Sequence, residues 1–261
     1  MRCAVYVGPG AVALEERPRP EPGPGEVLIR VLACGVCATD VKTVRRGHPF
    51  IKPPAVLGHE VAGRVEEVGE GVTSVSRGDL VAAAPYVPCG SCFFCRRGRY
   101  TLCERLFESY LRPGGFCEMA VAPRPIVERG LYRFSREVPP EEACLTEPLA
   151  CCVHSLREAG LSPGDSLLVV GSGPMGLMHV MLARAFGASL VVAADLLDGR
   201  LEKALELGAD EVVNPGREDL ASRVRGLTGG RGADVVVVAV GSVRAIGSGL
   251  ELSLIHISEP T

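Results

Sequence analysis

Tryptophan is absent from this 261-residue chain, and five tyrosines and seven phenylalanines supply all of its aromatic rings. The core must therefore be packed from aliphatic side chains, which a 47% hydrophobic fraction provides. No excess of positive charge is present: the formal net charge is −3, which removes the global electrostatic case for a nucleic-acid partner. No apolar run is long enough to span a bilayer. The opening MRCAVYVGPG lacks the apolar stretch of a signal peptide. These absences predict a cytoplasmic chain with no membrane partner. In that reducing compartment an odd count of eleven cysteines excludes a disulfide framework. Scattered thiols in the core account for Cys3, Cys117, Cys144, Cys151 and Cys152. The other six cluster too tightly for that. The length suits two domains.

The chain is organised around Leu167–Asp195, LLVVGSGPMGLMHVMLARAFGASLVVAAD. A short β-branched run meets a glycine turn, Gly171-Ser172-Gly173-Pro174-Met175-Gly176. An apolar helical segment follows to Phe186, then a second apolar run ending at Asp195. Strand, turn, helix, strand and acid, in that order, form the dinucleotide-binding fingerprint in its required context. Gly171 allows the tight turn, Gly173 lets backbone approach a pyrophosphate, and Gly176 lets the helix pack close to the strand. Pro174 and Met175 open the helix, whose N-terminus offers free N–H groups to phosphate. Asp195, 19 residues after Gly176, is placed to accept from a ribose 2′-OH. The same carboxylate would repel a 2′-phosphate, so NAD is favoured. Arg200, also assigned to the cofactor, leaves NADP as the lesser alternative.

Two further sets of residues carry metal chemistry. Residues 89–103 read CGSCFFCRRGRYTLC, a C-x2-C-x2-C-x7-C spacing of Cys89, Cys92, Cys95 and Cys103. Four thiolates at short intervals suit a closed, structural zinc site. Iron–sulfur ligation is the competing chemistry. Upstream, Cys37-Ala38-Thr39-Asp40 is followed about twenty residues later by Gly58-His59-Glu60. A thiolate, an imidazole and a carboxylate suit a second zinc, with Cys34 as the rival thiol. Asp40 is expected to accept the second ring N–H of His59, and Thr39 supplies a hydroxyl able to relay a proton. The acid pairs Glu66-Glu67 and Glu141-Glu142 read as solvated faces. His154 and His179 read as packing or surface residues, and His48 carries no assigned role.

The segments GVCATD, PPAVLGHEVAGRVEEVGEGV and GDLVA together resemble the zinc-dependent medium-chain dehydrogenase/reductase superfamily. PGGFCEM is similar to that family's GGFAEY segment, and Glu147-Pro148-Leu149 to the EPL motif of its sorbitol (L-iditol) and threonine dehydrogenase branch. The resemblance covers residues 1 to about 250. It implies an α/β chain: a β-rich GroES-like zinc catalytic domain over residues 1–150, with its structural zinc lobe at 89–103. A partial Rossmann NAD-binding domain is implied over 151–250, an incomplete doubly wound sheet of about four strands. Two zincs per chain are implied. The catalytic one is held by Cys37 and His59, with Glu60 and Glu147 competing for the remaining place. Lys42 stands where many alcohol dehydrogenases carry the histidine that ends the proton relay.

What the resemblance implies for activity is hydride transfer between a secondary alcohol and NAD. The substrate would be a polyol such as sorbitol or L-iditol, or threonine, and the intact protein a homo-dimer or homo-tetramer. Residues 251–261, ELSLIHISEPT, depart from the pattern and resemble translated read-through of a sequencing adapter. The natural sequence is expected to end near Glu251. The alternatives are a truncated, non-catalytic zinc-binding product, and an NADP-dependent or zinc-free reductase of the same superfamily.

Overall fold

The computed structural model describes residues 1–258, with side chains as far as residue 254. Two compact units divide the chain, one of Met1–Glu147 and one from Pro148 onward.

The first unit opens on a hairpin of β1 (Arg2–Gly8) and β2 (Ala11–Glu16), turned at Gly10 with a φ of 83°. The proline-rich stretch that follows carries no strand or helix, as prolines without a backbone donor require. Then come β3 (Val27–Gly35), α1 (Ala38–Arg46), β4 (Ala55–Val56), β5 (Glu60–Val68) and β6 (Leu80–Ala83). After the cysteine lobe the chain forms β7 (Met119–Ala122), α2 (Arg124–Arg129), β8 (Leu131–Arg133) and α3 (Pro140–Ala143). β1 lies between β2 and β4, and the main sheet runs β7-β3-β5-β6-β8, all antiparallel. Val27, Ile29, Val61, Val65, Val81 and Ile126 form the core beneath it. Glu66 and Glu67 pair with Arg30 and Arg19 at the surface. The β3–β5 ladder ends with Gly35 opposite Glu60, which brings the end of one strand and the start of the other to one place.

α4 (Thr146–Glu158) leads into β9 (Ser166–Val170), α5 (Pro174–Ala185), β10 (Leu190–Ala194), α6 (Asp198–Glu206) and β11 (Glu211–Val213). The unit continues through α7 (Leu220–Leu227), β12 (Ala233–Val238), α8 (Val243–Leu252) and β13 (Ser253–Ser258). The parallel sheet has the order β11-β10-β9-β12-β13. β9 is buried at every residue, because separate aliphatic clusters cover both faces of the sheet. The strand order reverses between β9 and β12, the switch point at which open α/β sheets bind ligands.

The sheet holds one strand more than the four expected. Residues 253–258 add in parallel to the open edge of β12, which offers unpaired backbone groups to any extended segment. Residues 259–261 of the expected tail lie outside the described residues.

Candidate functional site

Cys37 is the N-cap of α1, and a capping box explains why the helix starts there. The Cys37 sulfur accepts from the N–H of Thr39 at 3.5 Å, and Asp40 Oδ2 accepts from the N–H of Cys37 at 2.9 Å. The sulfur thus sits at the positive end of a helix, which favours its thiolate. The other Asp40 oxygen accepts from the N–H of Gly58 at 3.3 Å and ties down the lead into His59. Gly58 has a φ of 86°, and the Phe116 ring fills the space where its side chain would lie. Phe116 is anchored in turn, its N–H donating to the Leu57 carbonyl at 2.8 Å.

These constraints bring the Cys37 sulfur, a His59 ring nitrogen and a Glu60 carboxylate oxygen within 4.8 Å of one another. Glu60 is buried, and Cys37 and His59 are half-buried. His59 faces Asp40, the carboxylate expected to hold its ring. Nδ1 and Oδ1 stand 3.6 Å apart, an ion-pair distance, and the same carboxylate also accepts from the N–H groups of Cys37 and Gly58.

The Cys37 thiol is pulled below its usual value by a hydrogen bond from His59, against burial, with help from the N–H and hydroxyl of Thr39. Burial pulls His59 down, but Asp40 and Cys37 outweigh it and raise the imidazole to about 10. Burial raises Glu60. A protonated imidazole beside a thiol of lowered pKa holds a proton that a divalent cation would displace. One sulfur, one nitrogen and one oxygen donor, backed by a buried carboxylate, fit zinc with a position left open. Glu147 lies in the first turn of α4, half-buried and outside this group. Cys34 is also outside it, its thiol pushed up to about 12 by burial. Lys42 is exposed on α1.

Cys89, Cys92, Cys95 and Cys103 form the other donor group, all four sulfurs within 4.8 Å of one another. The Cys89 and Cys95 sulfurs are 4.0 Å apart, too far for a disulfide. Thiolates about 2.3 Å from a tetrahedral zinc would stand about 3.8 Å apart. Backbone N–H groups of Ser91 and Cys92 point at the Cys89 sulfur, each at 3.4 Å, and those of Cys89 and Arg105 point at Cys103. Hydrogen bonding, chiefly from the Ser91 backbone, lowers Cys89 to about 5. Arg97 is spent on the Phe93 ring, 3.7 Å from its centre.

The glycine turn leaves β9 at the switch point. Gly171 has a φ of 98°, and a Cβ there would meet Val240 beyond the end of β12. A Cβ on Gly176 would stand 1.9 Å from the Gly171 carbonyl oxygen, so helix and turn touch through backbone. A Cβ on Gly173 would meet nothing within 4 Å. That open space faces the N-terminus of α5, whose N-cap, Gly173, makes no side-chain cap. The buried Ser172 hydroxyl finds no partner among the described residues. An uncapped helix start beneath open space fits a phosphate. Pro174 and Met175 form the first turn, as expected. The Asp195 carboxylate accepts from the N–H groups of Ser172 at 2.8 Å and Leu197 at 3.0 Å, and Arg200 stands 3.4 Å away.

Sequence reasoning missed the capping role of Asp40, the packing of Phe116 under Gly58, and the contact of Gly35 with Glu60. Asp40 was discoverable, since an acid three residues after an N-cap is a capping signature. His179 is buried between Ser155, at 2.6 Å, and the Met175 carbonyl, at 2.7 Å, a packing role that joins α4 to α5. His154 is exposed.

Residues 23–129 match the alcohol dehydrogenase GroES-like domain family, and residues 174–253 the zinc-binding dehydrogenase family. L-threonine 3-dehydrogenase of Pyrococcus horikoshii is 40% identical over 237 residues, 89% of this chain and 66% of the relative. Sorbitol dehydrogenase of Macaca fascicularis is 38% identical over 254 residues, 94% of this chain and 70% of the relative. A crystal structure from Sinorhizobium meliloti 1021, bound to NADP, superposes with a TM-score of 0.88 at 31% identity, covering 97% of this chain and 73% of that one. The chain thus spans 66% of the length of its threonine dehydrogenase relative. With one family match across both donor groups, another from Pro174 onward, and a relative 38% identical over 94% of the chain, the chain belongs to the zinc-dependent medium-chain dehydrogenase/reductase superfamily.

Proposed function

We propose that the protein oxidises a secondary alcohol with NAD, at a zinc held by Cys37, His59 and Glu60. The observation that carries this reading is the three-donor group itself, with one thiol, one imidazole and one carboxylate within 4.8 Å. The four-cysteine lobe has no such opening and is assigned a structural zinc. When bound, zinc supplies a Lewis acid for the alcohol oxygen and the nicotinamide supplies the hydride acceptor.

The chain's own residues do the rest. Asp40 keeps Cys37 and Gly58 in place and balances the charge of His59. Thr39, half-buried beside the Cys37 sulfur, is assigned to carry the alcohol proton away from the site. Glu147 is assigned a supporting place through water. Gly173 and the start of α5 hold the pyrophosphate, and Asp195 receives the adenosine ribose. The identity of the acid favours NAD, while its pairing with Arg200 leaves room for NADP, the cofactor in the Sinorhizobium structure.

The substrates favoured are polyols such as sorbitol or L-iditol, and threonine, which the names of the relatives support. A homo-dimer or homo-tetramer in the cytoplasm is the proposed setting. The odd count of eleven cysteines suits a reducing compartment. No helix among the described residues is long and apolar enough to cross a membrane.

The test is a panel of sorbitol, L-iditol and threonine against NAD and NADP, with the zinc-loaded protein and its chelated form. NADH formation that depends on zinc is expected. Turnover that survives complete loss of the Cys37 zinc would overturn the mechanism. Binding of zinc without any turnover would favour the non-catalytic alternative.

A further inference from the structure

Gly35 ends β3 directly opposite Glu60, the first residue of β5. A Cβ placed on Gly35 would stand 1.9 Å from Glu60 Oε2, 3.0 Å from its Cδ and 3.1 Å from its Cβ. The Glu60 carboxylate therefore occupies the volume of the side chain that residue 35 lacks. Backbone conformation does not demand glycine here, because Gly35 is not among the residues with positive φ. What it supplies is space.

Glu60 has little other room. It is 7% exposed, and Val61 beside it is 1% exposed. Nearby, the Cys34 sulfur and Val61 already crowd Gly115, at 2.7 and 2.6 Å from where its Cβ would be. A side chain at residue 35 would have to push the carboxylate away from its present position, in which one of its oxygens lies within 4.8 Å of the Cys37 and His59 donors.

We propose that Gly35 is a positioning residue of the metal site: its missing side chain is the berth that holds the Glu60 carboxylate in the donor group with Cys37 and His59. This rests on the reading that those three residues hold a metal. Gly35 touches neither metal nor substrate and acts through Glu60 alone. Displacing a supporting group of this kind costs about 10–100-fold in metal affinity.

The experiment compares the parent protein with Gly35→Ala, Glu60→Ala and the double variant. Zinc affinity is measured by chelator competition, the visible absorption of the cobalt(II)-substituted protein is recorded, and thermal stability is followed. Gly35→Ala is expected to weaken zinc at the three-donor site about 10–100-fold and to change its cobalt spectrum, with the four-cysteine zinc retained. In the double variant the added methyl group enters the volume that Glu60 has vacated. Its affinity and spectrum should then match Glu60→Ala, and any stability lost in Gly35→Ala should return.

If Gly35→Ala fails to fold while the double variant folds, the coupling to Glu60 stands. If neither folds, Gly35 serves the strand ladder and the proposal is overturned. Additive effects in the double variant, or a Gly35→Ala protein with unchanged affinity and spectrum, also overturn it. Should Glu60→Ala alone leave affinity and spectrum unchanged, the metal reading of Glu60 fails, and the proposal falls with it for that separate reason.

Discussion

The four cysteines of the lobe lie within residues 89–103, on one loop, and backbone N–H groups of that same loop point at their sulfurs. Cys37, His59 and Glu60 come from a helix N-cap and the start of a strand, and they meet only because β3 and β5 pair in one register. The lobe offers four like donors and no free place. The other group offers three unlike donors, a buried carboxylate behind them and an open side. A closed local group can hold a fold together. An open group assembled from distant segments draws its geometry from a fold that exists already, and is free to do chemistry.

Serine substitutions should break this comparison most sharply. Cys37→Ser should remove one zinc and reduce alcohol oxidation at least about a thousandfold, with the melting temperature moving by less than about 4 °C. Cys95→Ser should remove the other zinc and lower the melting temperature by about 10 °C, as a loss of roughly 3–5 kcal/mol would. Metal analysis and calorimetry on both variants check this. Equal effects on stability would abolish the distinction between the two groups.

The glycine turn allows the same contrast in the second unit. Gly176→Ala forces a methyl group onto the Gly171 carbonyl and should destabilise by roughly 3 kcal/mol in denaturant titration. Gly173→Ala enters open space, so stability should hold while NAD binding weakens in calorimetric titration. If Gly173→Ala binds NAD as the parent does, the phosphate is not where the turn places it.

Asp40→Asn sharpens the link between the capping box and the metal. Zinc affinity at the Cys37 group should fall about 10–100-fold, and stability by about 1 kcal/mol. The lobe zinc should be untouched, and its loss would show that Asp40 supports the whole unit.

A smaller effect follows from protons. His59 holds its proton up to about pH 10 without metal, and a zinc-bound imidazole must be neutral. Binding therefore releases a proton below that pH. Zinc affinity should rise with pH from 6 toward 10, by up to about tenfold per unit for each proton displaced. A flat profile in chelator competition would exclude His59 as a ligand.

How much of the site could be read in advance follows the same division. The spacing of Cys89 to Cys103 and the passage from Leu167 to Asp195 were legible, because a loop with four thiols and a strand-turn-helix are complete over short stretches of chain. Cys37, His59 and Glu60 were legible as a candidate set, through donor type and the family resemblance, but not in the geometry that joins them. That Asp40 would accept from two N–H groups, and that Arg200 would stand 3.4 Å from Asp195, depended on side chains choosing among several partners in space. The fifth strand was not legible, because an exposed sheet edge accepts an extended segment through its backbone.

By itself the sequence determined the elements whose causes are local: the aliphatic core strands, the cysteine lobe, the glycine turn and the fingerprint helix. Tertiary structure alone decided that Gly35 would face Glu60, and therefore where a buried carboxylate meets a thiol and an imidazole. The physical reason is register. Strand pairing sets which distant residues share a few cubic ångströms, and neither spacing nor composition along one strand carries that choice.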